Sequence, residues 1–395
     1  MAASDILAPR AGFLVFTNPR FRSAVYQAMF VGAVVLLGAA AAAEATAKMQ
    51  ARGIPLGFDF WNEIAGFEIN QALIPYSSLS TYGQAFFVGV VNTLVVVLLG
   101  VVLATVLGFA IGIMRLFPNW IVRKFSTAYV ELIRNVPLLI QLLFWYNAVL
   151  KPLPGPKNSI ALPLGVYLNN RGIVVPEISA EPSAVVVFGA LAAGAAATTG
   201  LAWWARYRFR KTGATFPMLA AACLLLLGIP GLLWLVFGSP FSATPATLSG
   251  FNFKGGHRVY PEFAALLVGL SVYTASYIAE IVRAGIVSVG RGQTDAAQAL
   301  GLTAGQTLRF VIVPQALRVI VPPLTSQYLN LAKNSTLAVF IGYPDLVQVF
   351  AGSVLNQTGA AVQAMAITLS AYLLLSLVMS LLMNLFNQRY AIVER

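Results

Sequence analysis

Long apolar runs, separated by short polar segments, dominate this chain. Each run reaches or exceeds the roughly 20 residues that a helix needs to cross the hydrocarbon core of a bilayer. The pattern therefore predicts an all-α polytopic membrane protein with about eight transmembrane helices. The predicted spans are Ala24–Ala45, Ala85–Met114, Ser126–Leu150, Ser183–Ala205, Phe216–Phe237, Glu262–Val287, Val319–Ile341 and Ala361–Phe386.

Composition supports a membrane protein and excludes a soluble one. Of the 395 residues, 58% are hydrophobic and 10% are charged, whereas a soluble domain carries about 25% charged residues. The formal net charge is +12, but the cations lie in short segments between the apolar runs. That arrangement is typical of membrane orientation rather than of nucleic-acid binding.

The end of the first run, AAAAAEATA, also resembles a signal-peptide cleavage site. More than 20 residues precede the run, and Arg10, Arg20 and Arg22 are among them. A secretory signal has a short charged region before its apolar core. We therefore expect a retained span, with cleavage as the alternative.

The distribution of Lys and Arg predicts the orientation, because cytoplasmic segments of membrane proteins carry an excess of cations. If the N-terminus is cytoplasmic, the inner segments hold the larger set, and the C-terminus is cytoplasmic as well. The inner cations are Arg10, Arg20, Arg22, Arg115, Arg123, Lys124, Arg206, Arg208, Arg210, Lys211, Arg291, Arg309, Arg318, Arg389 and Arg395. The outer cations are Lys48, Arg52, Lys151, Lys157, Arg171, Lys254 and Arg258.

Three of the outer segments are long, namely Thr46–Gln84, Lys151–Pro182 and Gly238–Pro261. Such segments either cap a pathway or receive a soluble partner. A plain solvated surface is the alternative, and the sequence leaves both open.

The segment between the sixth and seventh runs is too polar to span a membrane. Its sequence predicts a short helix at Thr294–Leu300, a break at Gly301, a second short helix at Thr303–Phe310 and a stop at Pro314. Thr303 suits the N-cap of the second helix, and glycine permits the sharp turn between the two. We expect a helix-turn-helix along the cytoplasmic face.

This segment resembles the cytoplasmic signature of ABC importer permeases, which is E-A-A, three residues, Gly, nine residues, Ile, one residue, Leu-Pro. Asp here replaces the family's Glu, and Val replaces its Ile and Leu. The resemblance implies a coupling helix that sits in a cleft of the ATPase subunit. The matching residues are Asp295, Ala296, Ala297, Gly301, Val311, Val313 and Pro314.

The resemblance extends over most of the chain. The stretch YVELIRNVPLLIQLLFWY at Tyr129–Tyr146 and the residues around the signature look like the polar amino-acid branch of these permeases. The branch usually has Arg-Gly-Thr-Pro where this chain has Arg-Asn-Val-Pro from Arg134, and often Lys-Asp-Thr-Ser-Leu where this chain has Lys-Asn-Ser-Thr-Leu from Lys333. The outer segments look like those of general L-amino-acid transporter permeases.

That resemblance implies a five-helix permease core with additions. The core would lie within residues 85–390, and an inserted helical hairpin with its outer loops would occupy about 151–261. Residues 1–84 would add a cytoplasmic tail, one helix and an outer loop. The implied partners are an ATPase that holds ATP and Mg²⁺, a second and non-identical permease subunit, a periplasmic binding protein, membrane lipid and an amino-acid substrate in the bacterial inner membrane.

Polar side chains inside the predicted spans recur at three- or four-residue steps, so each set forms a helical stripe. Such stripes suit a water-filled cavity for a zwitterionic solute, although hydrogen bonding between helices is the alternative. The candidate cavity residues are Gln141, Tyr273, Tyr277, Gln327, Asn330, Lys333, Asn334 and Ser335.

Four charged residues in the spans are expected to pair, because charges in a membrane need partners. The candidate pairs are Glu131 with Arg134, Glu280 with Arg283, and Glu280 with Arg134 across helices. Pro137 is expected to kink the third span.

The sequence lacks the residue patterns for ATP binding, for a metal cluster and for nucleophilic catalysis. The sequence contains no G-x-x-x-x-G-K-[ST] loop, so ATP is expected on another polypeptide. It has one cysteine, Cys223, and one histidine, His257, which gives no metal cluster and no convincing nucleophile constellation. We expect a transporter subunit that imports L-amino acids by alternating access. The alternatives are an importer of another small polar solute, such as an opine, and a secondary transporter.

Overall fold

The computed structural model describes residues 19–51, 53, 57–250 and 252–388. Arg10, Arg52, Arg389 and Arg395, on which the predicted orientation partly depends, lie outside the described residues, as does the side chain of Arg20. The α-helices are α1 (Pro19–Ala51), α2 (Tyr82–Met114), α3 (Trp120–Asn135), α4 (Leu138–Leu143), α5 (Pro182–Thr212), α6 (Met218–Cys223), α7 (Ile229–Phe237), α8 (Pro261–Val287), α9 (Arg291–Ala299), α10 (Ala304–Thr307), α11 (Val313–Asn334), α12 (Leu355–Thr358) and α13 (Ala361–Gln388).

The prediction of a helical polytopic membrane protein is confirmed. Within the described ranges, seven helices are long and apolar enough to cross a membrane, or eight when one bent pair counts as a span. Several of them join helices with a π-helical turn, for example Met218–Phe237. The predicted bounds of the second, fifth, sixth and eighth spans agree within three residues, the first and fourth helices end later than predicted, and the third and seventh spans differ in shape or start.

The third span is broken rather than kinked. Trp120–Asn135 and Leu138–Leu150 meet at an angle of 105°. Val136 has φ −99° and ψ 126°, which is the extended conformation that a following proline imposes. The predicted bend at Pro137 is present but much sharper than a kink within one helix, and it separates the polar residues of α3 from Gln141 in the second half.

The seventh span begins much earlier than predicted. The helix runs from Ala304 through Ile341, so Pro314 does not end a short helix, as the sequence had suggested. A proline lacks the N–H that bonds the carbonyl of the preceding turn. The π-helical turn Leu308–Ile312 ends two residues before Pro314 and accommodates the lost bond, so the helix continues.

The inserted segments contain short antiparallel strands that the hydrophobic pattern did not predict. Strands β1, β2, β3 and β8 form one sheet in that order, and β4–β5 and β6–β7 form two further pairs. The strands are β1 (Ile160–Leu162), β2 (Val166–Asn169), β3 (Gly172–Val175), β4 (Glu177–Ala180), β5 (Phe241–Thr244), β6 (Thr247–Ser249), β7 (Asn252–Lys254) and β8 (His257–Val259).

The described chain divides into two compact units. The first comprises the residues up to Val90 and Leu346–Leu374, and an aromatic cluster forms its core. In that cluster the ring centroids of Phe60 and Tyr82 lie 6.1 Å apart. The predicted division at residue 84, with an insertion at about 151–261, stays a prediction.

The second unit comprises Val91–Asp345 and residues 375–388, and α8 is its central helix. Helix α2 packs closely on α8, since a Cβ added at Gly112 would lie 2.8 Å from the carbonyl oxygen of Ala279. Helix α11 packs equally closely, because a Cβ at Gly285 would overlap the side chain of Ile320. The small residues therefore bring three helices together at the level where the charged residues lie.

Two phenols attach the bent third span to α8. The Tyr129 hydroxyl donates to the carbonyl of Val272 at 2.7 Å, and the Tyr146 hydroxyl donates to Glu262 Oε1 at 2.7 Å. The first bond belongs to α3 and the second to the segment beyond the break. Each half of the broken span is thus held to a different level of α8.

Candidate functional site

A charge cluster lies around Glu280, seven residues before α8 ends. Its carboxylate contacts three guanidinium groups. Arg283 Nη2 lies 2.6 Å from Oε1, Arg134 Nη1 lies 4.0 Å from Oε2, and Arg115 forms a close ion pair with Oε2. One carboxylate therefore joins α8, α3 and the segment after α2.

Arg115 is the residue that sequence reasoning missed. It directly follows α2 and therefore counted only as a loop cation that indicates orientation. Its side chain is 10% exposed, against 40% for Arg134. The close packing of α2 on α8 at Gly112 supplies the proximity, and no local sequence pattern carries that information.

An open cleft of about 420 Å³ borders this cluster. Carboxylate, guanidinium, amide and phenol groups line it, so it offers partners for both charges of a zwitterion. The lining residues are Arg115, Val130, Glu131, Arg134, Asn135, Tyr277 and Glu280.

The arginine at the break faces the phenols of α8. The Arg134 guanidinium lies 4.9 Å from the ring centroid of Tyr277, a cation–π distance. The Tyr277 and Tyr273 hydroxyls are 3.1 Å apart. Because Arg134 points to α8, the predicted pair with Glu131 does not form, and Glu131 has no ion pair in the described part of the chain.

The structure places Gln141 at the break instead of in the cleft. Its Nε2 donates to the carbonyls of Ile133 (2.8 Å) and Val136 (2.9 Å), two groups that lose their helical partners where α3 ends. The side chain is 6% exposed. This amide therefore stabilises the bend that turns α3 toward Glu280.

The polar residues of the seventh span lie apart from the cleft lining. Asn330 and Lys333 are exposed, and Gln327 and Asn334 are half-buried. No hydrogen bond or ion pair joins these four side chains to any described residue. Ser335 differs, because it is buried and donates to the carbonyl of Ala332 at 2.8 Å.

The signature segment forms two helices around a glycine turn. Gly301 has φ +77°, and the Leu302 and Gly301 amides donate to the carbonyls of Ala297 and Gln298 at 3.1 and 2.9 Å. These bonds make a Schellman motif, in which the left-handed residue is usually glycine. The turn ends α9 and re-aims the chain toward α10.

Thr303 begins the second helix of this segment through a capping box with Gln306. Asp295, Ala296 and Gly301 are exposed, whereas Ala297 is buried. Leu300, beside the turn, is 81% exposed. The segment thus presents a small, partly apolar surface on a locally well-defined backbone.

Comparisons with known proteins agree with these features. Residues 211–392 match the family described as "Binding-protein-dependent transport system inner membrane component". YhdX of Escherichia coli (strain K12) is 47% identical over 97% of this chain and 98% of that protein.

Two further relatives align over nearly their full length. AapQ of Rhizobium johnstonii, named a general L-amino acid transport system permease protein, is 46% identical over 96% of this chain and 94% of that protein. BztB of Rhodobacter capsulatus, named a glutamate/glutamine/aspartate/asparagine transport system permease protein, is 39% identical over 98% of both chains.

Proposed function

Since the chain belongs to the family of ABC-importer permeases, the inner membrane components of binding-protein-dependent transport systems, we propose that it carries L-amino acids across the bacterial inner membrane. One observation carries this proposal. Two relatives whose names specify amino-acid transport align with the chain over nearly its full length. The protein is a transporter subunit and not an enzyme.

The cleft at Glu280 suits part of the pathway of an amino acid. A zwitterion needs a cation for its carboxylate and an anion or carbonyl for its ammonium group. Arg134 offers the cation, the neutral amide of Asn135 offers a further hydrogen-bond donor, and Glu131, which has no ion pair in the described chain, offers the anion. Side-chain selectivity would come from the remaining surface of the pathway.

The segment around Gly301 is proposed as the coupling helix. ATP and Mg²⁺ bind a separate ATPase subunit, and closure of that subunit moves the exposed face of α9. Because α8 and α11 flank the segment in the chain and pack on one another, motion of α9 displaces both helices. Alternating access follows when this displacement opens and closes the cleft.

A second, non-identical permease subunit is proposed against the seventh span. The side chains of Lys333, Asn330, Gln327 and Asn334 are without hydrogen-bond or ion-pair partners in the described chain, and unpaired polar groups are costly in a bilayer. A subunit interface or an aqueous pathway beside it would hydrate or bind them.

In this assembly both termini are cytoplasmic, the inserted strands lie in the periplasm and a soluble binding protein delivers the substrate.

Uptake of labelled L-amino acids tests the proposal. Cells with and without the gene, in a host that lacks overlapping transporters, are given acidic, basic and neutral amino acids separately. Loss of uptake across all three groups supports a general amino-acid importer. Unchanged uptake of every amino acid would contradict the proposed substrate class and direct the search to other small polar solutes.

A further inference from the structure

One loop of the inserted segment has a backbone that leucine rarely adopts. Leu164, between Pro163 and Gly165, has φ 65° and ψ 23°. It is the one non-glycine residue with positive φ in the described ranges. Such a conformation persists only where the surrounding structure imposes it, and it often marks a functional position.

The side chain on this backbone is almost fully exposed. Leu164 is 91% exposed, the largest value among the large hydrophobic residues of the described chain. It follows β1, an edge strand whose three residues are all exposed, and Leu162 on that strand is 43% exposed. The loop Leu162–Gly165, here called the leucine tip, is therefore an apolar projection at a free sheet edge.

The strand register places the leucine tip at the end of the sheet remote from the membrane helices. Strand β8 leads into α8, and its last residue, Val259, pairs with Ile173. Gly172 packs against Val259 and pairs with Asn169 at the end of β2. The tip precedes the opposite end of β2.

The β4–β5 pair indicates independently that the leucine tip lies away from the membrane helices. Ala180 and Phe241 pair at the end near α5 and α7, and Glu177 and Thr244 pair at the far end. A Cβ added at Gly165 would lie 3.6 Å from Pro176 and 3.7 Å from Pro245, which border that far end. Both sheets therefore hold the tip away from the bilayer, and lipid does not account for its exposed leucine.

We propose that the leucine tip is an anchor for the soluble binding protein, with the Leu164 side chain inserting into an apolar depression on that partner. The inference rests on the proposed function, which assigns the inserted strands to the periplasm and makes transport dependent on a binding protein. A loop whose backbone is held in one conformation loses little backbone entropy on binding, and its apolar side chain excludes water when buried. A few residues that are fully buried at the centre of a contact carry most of its binding energy.

Two substitutions at Leu164 test the contribution of the apolar side chain without changing the backbone conformation. Glycine and asparagine both tolerate a left-handed conformation, so Leu164→Gly and Leu164→Asn keep the fold of the loop and remove the apolar group. Ile178→Ala is the matched control, because Ile178 is 64% exposed on β4 with an ordinary extended backbone.

The experiment measures the Kd of the purified binding protein for the complete transporter in lipid nanodiscs by biolayer interferometry. Both Leu164 variants are expected to raise the Kd about tenfold or more, with unchanged basal ATPase activity, and Ile178→Ala is expected to leave the Kd unchanged. If both Leu164 variants bind the binding protein with the wild-type Kd, the anchor is overturned and the proposed function stands. A wild-type complex that binds no binding protein would overturn both.

Discussion

Arg115 donates a hydrogen bond to Glu280, and this contact joins the end of α2 to the last third of α8. Arg283 donates to the other carboxylate oxygen at 2.6 Å, and Arg134 lies at 4.0 Å. A single carboxylate thus balances several guanidinium groups that reach it from different elements. We therefore treat Glu280 as the residue that holds the cleft together.

Replacement of Glu280 by glutamine is expected to destabilise the protein. The change removes the negative charge and leaves three arginines close together without it. Loss of one member of a buried ion cluster costs about 3–5 kcal/mol. Because the Glu280 side chain is 30% exposed, we expect about 1–3 kcal/mol and a clearly lowered Tm of the detergent-purified protein in a fluorescence thermal-shift assay.

Glu131→Gln is the matched control, because Glu131 lines the same cleft but has no ion pair in the described chain. This variant is expected to keep the wild-type Tm within experimental scatter. Equal Tm values for the two variants would show that the cluster at Glu280 does not stabilise the fold.

Much of the helical architecture could be predicted from apolar run length. The bounds of the second, sixth and eighth spans agree closely, since hydropathy alone decides where such helices lie. The predicted start of the seventh span is wrong because proline ordinarily ends a helix, whereas here a π-helical turn accommodates Pro314. The break before Pro137 was underestimated for the opposite reason, because extended backbone at Val136 turns the chain by 105°.

The site was less predictable, because its contacts are not local in sequence. Arg283 lies three residues from Glu280 and could be paired with it from the helical period. Arg115 lies 165 positions away, and only the packing of α2 on α8 brings it close. The helical period predicts Gln141 in a cavity. The break instead leaves the carbonyls of Ile133 and Val136 without helical donors, and the Gln141 amide donates to both.

Gln141 provides a second prediction, because its amide satisfies two carbonyls at the break. Leucine at this position fills a similar volume but leaves both carbonyls without donors. An unsatisfied buried polar group costs about 1–3 kcal/mol. Gln141→Leu is therefore expected to lower the Tm and to increase proteolysis between α3 and α4, as measured by limited digestion in detergent.

The control for this variant is Gln327→Leu, a substitution of the same type where the glutamine has no partner in the described chain. It is expected to leave the digestion pattern unchanged. A wild-type pattern for Gln141→Leu as well would contradict the role of Gln141 in the bend.

Gly301 provides a third prediction, which concerns coupling. A Cβ there would meet no atom within 4 Å, so a larger residue acts through the backbone and not through a clash. Valine disfavours φ +77° strongly, whereas asparagine tolerates left-handed backbone. Gly301→Val is expected to abolish ATP-dependent uptake with normal membrane abundance, and Gly301→Asn is expected to retain most of it.

Both quantities are measured in the same cells, by uptake of labelled amino acid and by immunoblot of the membrane fraction. The pair of variants separates the turn conformation from the size of the side chain. Uptake at the wild-type rate by Gly301→Val would reject the assignment of this segment as the coupling helix.

Lys333 provides the last prediction, because its ammonium group is exposed on the seventh span and pairs with no carboxylate in the described chain. Removal of this charge therefore breaks no ion pair or side-chain hydrogen bond in the described part of the subunit, and Lys333→Ala is expected to fold and insert normally. If Lys333 lines the pathway or the interface with the second permease, uptake falls, and we expect a loss of about tenfold, the equivalent of one good polar contact. Lys124→Ala, which also removes an exposed lysine, is the control and is expected to transport normally.

Affinity purification through a tag on the second permease then distinguishes the two roles of Lys333. Recovery of the complex with lowered uptake assigns Lys333 to the pathway, and loss of the complex assigns it to the interface. Normal uptake with a normal complex would contradict both.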